Sequence, residues 1–427
     1  MTSTEQRFEK QVDRWVYGIV TRGVTNLNSL LASLPGVYPS VAVQSLKRLV
    51  AAGKFDNQNF IITSERSGSN GDGRRPSSGQ RHSVILPIPH PLDYDWRFAE
   101  SAVKYLLDAG LRLTRPDEII ALLGTPSVLR TAIESAYPRR MVLLDANASV
   151  VDSLSEVASN GQAVLCDVVK EPLPRIEASV VIVDPPWYEE HIAGFLWSAA
   201  QLCQVGGHVL VSTPPSGTRP GIDRDRTSLL DWARQLGLAH LRTDLAILPY
   251  CSPPFEINAL RAEGLCDILE DWRRGDLSVF VKDAQVTPPR PVPPIASDGE
   301  WVEASIHGVR VRVRQAESSD FADPKLLTIV GGDILPSASR RDYRRPLADV
   351  WTSGNRVFAC QGRNVLIHIL RALATGNAPV EAVAGHIGRV LSAGEQTLVE
   401  DAVIRMTEII TTERSENSLI GESCIDA

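Results

Sequence analysis

Val180-Val181-Ile182-Val183-Asp184-Pro185-Pro186-Trp187 is the stretch on which the reading of this chain turns. A short apolar run made only of valine and isoleucine has the composition of a strand buried on both faces of a parallel sheet. Two prolines stop it, because neither can donate a ladder hydrogen bond. The strand therefore delivers an acid and an indole to its carboxyl end, where open α/β sheets place their ligands. The chemistry there suits an amino nitrogen. The Asp184 carboxylate and the carbonyl preceding Pro185 both accept hydrogen bonds from an NH2 group, which leaves the nitrogen lone pair aimed at an electrophile. Trp187 offers a flat face for stacking, and proline stiffness holds the acceptors still.

Working outward, strand and helix patterns alternate from 83 to 284, which predicts a doubly wound parallel sheet of about seven strands. A lead-in helix over 96–109 precedes the strand Glu118 to Leu123, which runs into Gly124-Thr125-Pro126-Ser127. Thr125 suits the cap of the next helix, with Pro126 at its first position. The strand Met141 to Leu144 ends at Asp145, about twenty residues beyond the glycine, the offset expected of a carboxylate that binds a ribose diol. A third strand, Ala163 to Leu165, ends in Cys166-Asp167, and the strand before Asp184 is the fourth. Gly206-Gly207 turns into His208 to Val211, and a helix (229–236) and strands at 241–248 and 277–281 complete the unit.

This order of a glycine turn, two strand-ending acids and Asp-Pro-Pro-aromatic resembles the class I S-adenosylmethionine-dependent transferases. The resemblance implies a Rossmann-like seven-stranded methyltransferase sheet with S-adenosylmethionine bound at Gly124 and Thr125. Asp145 would hold the ribose hydroxyls and Asp167 would approach the adenine amino group. Asp184, Pro185, Pro186 and Trp187 are similar to the motif of adenine-N6 and cytosine-N4 methyltransferases, which implies an amine-bearing substrate against Asp184. The layout also resembles the branched-chain polyamine synthases (N4-bis(aminopropyl)spermidine synthases), in which a winged-helix module precedes a Rossmann domain carrying Asp-Pro-Pro-Tyr. That resemblance implies aminopropyl transfer from decarboxylated S-adenosylmethionine. Two departures count. Gly124 is followed by the uncharged Thr125-Pro126-Ser127, neither a second glycine nor the acidic cluster of the polyamine synthases. Carboxylates for a polycation would then have to come from Glu189 and Glu190, after Tyr188, and these equally suit the dipole of a helix N-terminus. Three classes stay open: methyl transfer to a nucleobase or small-molecule amine, aminopropyl transfer, and a degenerate transferase domain with a regulatory or interaction role.

The flanks read as separate units. Residues 1–63 carry three helical patterns (Val12 to Val20, Leu27 to Leu34, Val43 to Val50) and a two-strand wing at Lys54-Phe55 and Phe60-Ile61-Ile62, a winged-helix domain. Gln44, Lys47 and Arg48 lie outward on its third helix and offer a nucleic-acid or protein contact. Residues 64–82 are a flexible linker and 285–298 a proline-rich spacer. Residues 299–427 form an α+β interaction or oligomerisation domain, with paired strands around His307-Gly308, a Ser392/Glu395 capping box and a basic cluster at Arg340, Arg341, Arg344 and Arg345. Within the central unit, 90–98 folds over the cofactor edge or caps its helix. The loop 212–221, with Arg219, Arg224 and Arg226, suits a lid, and 250–258 a pocket wall.

Composition sets the limits. With 427 residues and 43% hydrophobic content the chain is long enough for two or three domains. Its net charge of −7 gives no global field for nucleic acid. The six cysteines have no C-x-x-C spacing, against a structural metal or a disulfide framework, and this fits a cytoplasmic protein. No run approaches the ~20 apolar residues of a spanning helix.

Overall fold

A computed structural model describes residues 3–55, 84–155, 161–269, 271–286, 288–292, 299–316 and 320–419. The central strands are β1 (Arg97–Phe98), β2 (Ile119–Leu123), β3 (Arg140–Asp145), β4 (Gly161–Leu165), β5 (Ala178–Val183), β6 (Cys203–Thr213), β7 (Leu238–Cys251) and β8 (Arg274–Lys282). They form an eight-stranded sheet in the order β1-β7-β8-β6-β5-β2-β3-β4. Strands β2 to β6 are parallel, and β8 inserts antiparallel between β6 and β7. The eighth strand is β1, two residues long, which sequence periodicity cannot detect. It pairs Arg97 with Cys251 and Phe98 with Tyr250 at the end of β7.

Burial explains the all-apolar β5. Helices α4 (Glu100–Leu113), α5 (Pro126–Glu134) and α6 (Ala148–Ser155) cover one face, where Leu106, Leu129 and Leu154 meet Ile120, Ile182 and Leu143. Helices α7 (Glu189–Leu202) and α8 (Ile222–Gln235) cover the other, where Leu196 and Ala233 meet Val181 and Val183. The lead-in helix starts later than its pattern suggested, at Glu100, because Arg97–Phe98 is taken into the sheet. The chain leaves β2 toward β3 and β4 but leaves β5 toward β6, so the switch point lies between β2 and β5. Leu123 and Val183 are register partners. Gly124 and Asp184 consequently leave the sheet side by side, in the crevice that this topology opens.

At the N-terminus, α1 (Ser3–Val20), α2 (Leu27–Ser33) and α3 (Pro39–Ala51) pack around Val12, Val16, Leu30 and Leu46. Asn26 caps α2 by accepting from Ser29 N–H at 2.9 Å. Gln44 and Lys47 are exposed on α3, whereas Arg48 is tied to Asp13 at 2.7 Å. The apolar core of this unit is continuous with Leu260, Leu265 and Trp272 of the central domain. The second wing strand, Phe60 to Ile62, and the linker 64–82 lie outside the described residues.

The C-terminal unit has a sheet in the order β11 (Leu326–Thr328), β13 (Val357–Cys360), β12 (Val350–Thr352), β10 (Val309–Arg314), β9 (Trp301–Ile306). Helices α10 (Arg363–Thr375) and α12 (Ala393–Leu419) pack against it, and α11 (Pro379–Ile387) packs on those two helices. His307 and Gly308, at φ 51° and 83°, make the expected turn. Ser392 N–H donates to Glu395 at 2.8 Å, closing one side of the capping box. Among the described residues no helix is long and apolar enough to cross a membrane, and no cluster of three metal-binding side chains occurs.

Candidate active site

The site is built at the β2/β5 switch point. Asp184 N–H donates to Leu123 O at 3.1 Å, which locks the acid to the end of β2. The main-chain carbonyl of Asp184 leans over Gly124. A Cβ at position 124 would lie 3.2 Å from that oxygen and 3.4 Å from Phe195, and φ is +64° there. Only glycine satisfies both demands. The turn that would receive a cofactor and the acid that would receive an amine are thus one joint. Pro185 is buried behind it, and Tyr188 N–H closes the turn on Pro186 O at 2.7 Å.

Asp184 keeps a little solvent contact, but its carboxyl lies deep. Tyr250, at the end of β7, donates to Asp184 Oδ1 at 2.5 Å, and Ser212 Oγ on β6 lies 2.5 Å from the Tyr250 hydroxyl. Burial raises the Asp184 proton affinity to about 8; the Tyr250 and Ser212 hydrogen bonds and the Arg273 charge hold it from rising further, and Asp95 pushes it up. Burial, with the neighbouring Asp184 charge, drives Tyr250 well above the usual phenol range, so its proton stays on the chain Ser212–Tyr250–Asp184.

Asp145 ends β3 one strand away. It accepts from Asn147 N–H at 2.8 Å, and burial, with Asp95 and Asp93 adding to it, raises its carboxyl to about 7. The Asp95 charge therefore acts on both Asp145 and Asp184. It is fixed by Arg97 at 2.9 Å. Asn147 also donates to Asp93 at 3.0 Å, and Asp93 is clamped by Arg310 (2.8 Å) and Arg312 (2.5 Å) of β10. The segment 90–98 is thereby held over the β3 end by the C-terminal unit. Asp167 accepts from Val169 N–H at 3.0 Å and pairs with Lys170 at 3.0 Å.

The residues present fit an adenosyl cofactor. Thr125 caps α5 in position, yet its hydroxyl is buried and has no partner. His191 Nδ1 is likewise buried without one; burial lowers its proton affinity, and the Asp167 charge opposes that. Orphaned buried polar atoms carry a desolvation cost that a ligand removes, and these two lie beside the expected cofactor residues Gly124 and Asp167.

Trp187 is 9% exposed. Its edge meets Tyr250 at 5.6 Å, and the Arg273 guanidinium lies over its ring at 4.4 Å. Arg273 thus occupies a ring face that sequence reading offered to an acceptor. Tyr188 stacks edge-on with Tyr94, 5.6 Å away, and lies under Arg340 at 4.4 Å. Glu189 is exposed at the start of α7, while Glu190 is paired with Arg340. Three more arginines singled out from sequence are also engaged: Arg219 with Asp225 and Arg226 with Asp276, both at 2.6 Å, and Arg344 with Asp342 at 2.6 Å. Two surface depressions, one around Arg139, Arg140 and Gln162 and one around Arg115, Glu118 and His208, lie at the amino ends of the strands, away from these acids.

Sequence reading pointed to Asp145, Asp184 and Gly124, and the structure brings them together. Tyr250 was read only as part of a wall, Ser212 as the start of a lid loop and Asp95 as part of the 90–98 segment; Arg273 carried no local signal.

No protein-family model matches the sequence, and no curated protein matches it. The mixed α/β fold, with its eight-stranded sheet, is methyltransferase-like. A mutein of the branched-chain polyamine synthase from Thermus thermophilus, solved with N4-aminopropylspermidine and 5'-methylthioadenosine, superposes with a TM-score of 0.51 at 13% identity, over 69% of this chain and 96% of that one. A second structure of the synthase from that organism gives 0.48 at 15% identity, over 66% and 91%. A S-adenosylmethionine-dependent methyltransferase from Corynebacterium glutamicum gives 0.31 at 11% identity, over 43% and 88%. At these identities the likeness concerns the fold alone.

Proposed function

We propose that this chain is an S-adenosylmethionine-dependent transferase that moves a methyl group to an amino nitrogen of a nucleobase or small-molecule amine. The observation that carries the reading is Asp184: a deep carboxyl with a proton affinity of about 8, set against the Gly124 turn. Asp145 would hold the ribose hydroxyls, Gly124 and Thr125 the methionine end, and Asp167 the adenine amino group. Bound there, the sulfonium supplies an alkyl carbon with a good leaving group.

The chain's own work is orientation and proton handling. Asp184 Oδ1 is committed to Tyr250, which leaves Oδ2 and the Asp184 carbonyl to receive two amine N–H groups. The nitrogen lone pair then points away from both. A carboxyl with an affinity near 8 is matched to take a proton from an amine at neutral pH. Tyr250 and Ser212 fix its oxygen and stabilise the charge it carries when ionised.

Aminopropyl transfer from decarboxylated S-adenosylmethionine is the second reading. It is favoured by the extent of the likeness to the polyamine synthase fold, which takes in 96% of that chain. Comparative thermal stabilisation separates the two. S-adenosylmethionine should stabilise the protein more than its decarboxylated form, because the Thr125 hydroxyl and the N-terminus of α5 would meet a carboxylate. Preference for the decarboxylated form would install the second reading. Stabilisation by neither would leave the degenerate regulatory domain.

A further inference from the structure

Among the described residues, Arg273 is a cation of this site that no side-chain acceptor neutralises. Its guanidinium carbon lies 4.1 Å from the Trp96 ring centre and 4.4 Å from that of Trp187. Two indoles at this range fix a guanidinium plane and favour its charge. Among the described residues, however, its side chain makes no hydrogen bond and no ion pair. Neighbouring arginines are spent: Arg97 on Asp95 and Pro87 O, Arg219 on Asp225, Arg226 on Asp276, Arg340 on Glu190. A flat set of donors held rigidly and left without acceptors is the form that recognises carboxylate or phosphate.

Its location is set by the ladder. Arg273 O accepts from Tyr250 N–H at 2.9 Å, so the side chain departs next to the Tyr250 that holds Asp184. Its charge lowers the proton affinities of both Asp184 and Glu256. Two residues beyond Tyr250, the Ser252 hydroxyl is 1% exposed as a residue and has no partner. It is a second buried donor on the same wall. A polyamine would bring several positive charges against this arginine, whereas an anion would complement it.

We propose that the acceptor amine carries an anionic group, carboxylate or phosphate, and that Arg273 binds it beside Asp184. The inference rests on the transferase reading for the word acceptor, but anion binding at Arg273 is measurable without turnover.

The test uses the full chain with S-adenosylmethionine present. Binding of inorganic phosphate and of acetate is measured by calorimetry at constant ionic strength in chloride, for wild type, Arg273→Gln and Arg273→Lys. Saturable binding by wild type, about tenfold or more weaker in Arg273→Gln and intermediate in Arg273→Lys, is expected. No binding above chloride, or equal binding by wild type and Arg273→Gln, overturns the proposal and leaves Arg273 as a fixed counter-charge for Glu256. If Arg273→Gln fails to fold, Arg273→Lys, which keeps the charge between the indoles, carries the comparison. A transfer arm distinguishes the anion's source. Ornithine is set against putrescine for a carboxylate, and adenosine monophosphate against adenosine for a phosphate. The anionic member of a pair should show the higher kcat/KM in wild type, with the preference collapsing in Arg273→Gln; preference for putrescine and adenosine overturns the proposal. Failure of S-adenosylmethionine itself to bind sinks the transferase reading instead, and the anion titration without it still reports on Arg273.

Discussion

Replacing Tyr250 with Phe removes one oxygen and keeps the ring that packs on Phe98, 4.8 Å away, and on Trp187. The lost hydroxyl is the 2.5 Å donor to Asp184 Oδ1, with Ser212 2.5 Å behind it. A hydrogen bond to a charged group contributes about 1.5 to 3 kcal/mol. At about 1.4 kcal/mol per pKa unit, the Asp184 carboxyl, already raised to about 8, should climb about one to two units further. Only the ionised carboxylate accepts both an amine hydrogen bond and its proton, so kcat/KM of wild type should rise with pH and level off above about 8. In Tyr250→Phe the rising limb should move one to two units upward while S-adenosylmethionine affinity, measured by calorimetry, stays within about twofold of wild type. A limb that keeps its position would refute the claim that Tyr250 sets the proton affinity of the reacting acid, and a limb that moves downward would refute the sign of the argument.

Asp184 also links stability to pH. Its ordinary value is 3.8 and its folded value about 8, so the folded state holds a proton that the unfolded state releases, and stability must fall as pH rises from about 4 through about 8. Asp184→Asn lacks this penalty. Its Tm should gain on wild type across that window, reach a constant margin above it, and accompany complete loss of transfer; parallel Tm curves would contradict the deep placement of the carboxyl. Thr125→Val removes a buried hydroxyl without a partner, so the ligand-free protein should be as stable as wild type or more stable by about 1 kcal/mol, while S-adenosylmethionine binds about tenfold more weakly. Unchanged affinity in calorimetry would remove Thr125 from the cofactor site. Arg310→Met removes the guanidinium that lies 2.8 Å from both Asp93 and Glu303 and leaves the two acids to Arg312, and chemical denaturation should show a loss of about 1.5 to 3 kcal/mol. A loss under about 1 kcal/mol would mean that the C-terminal unit does not brace the 90–98 segment.

The joint of Gly124 and Asp184 was legible because it is local. Val180 to Val183 reads as a doubly covered strand, and the acids at 145 and 184 follow their strands directly, so strand order placed them together. The glycine at 124 was legible as a turn, though its contact with the Asp184 carbonyl depends on register between β2 and β5. What the sequence withheld are contacts made by closure of the sheet. Tyr250 is 66 residues from Asp184, at the end of a strand whose partner β8 comes later in the chain. Arg310 sits in the alternating Val309 to Arg314, where period two assigns arginines to water. It is instead 1% exposed, because the second face of β10 is covered by the 90–98 segment. Glu190 and Arg340 lie 150 residues apart, and nothing near either predicts the pair.

The central claim is that Asp184 meets an amine beside a bound adenosyl sulfonium. It is tested most directly by incubating wild type and Asp184→Ala with isotopically labelled S-adenosylmethionine and a panel of DNA, RNA, nucleotides, amino acids and polyamines, with cofactor affinity measured on the same samples. Label on an amino nitrogen with wild type only, and equal cofactor affinity for both proteins, is the predicted result. Equal label transfer by Asp184→Ala, or label found on carbon or oxygen, would contradict it.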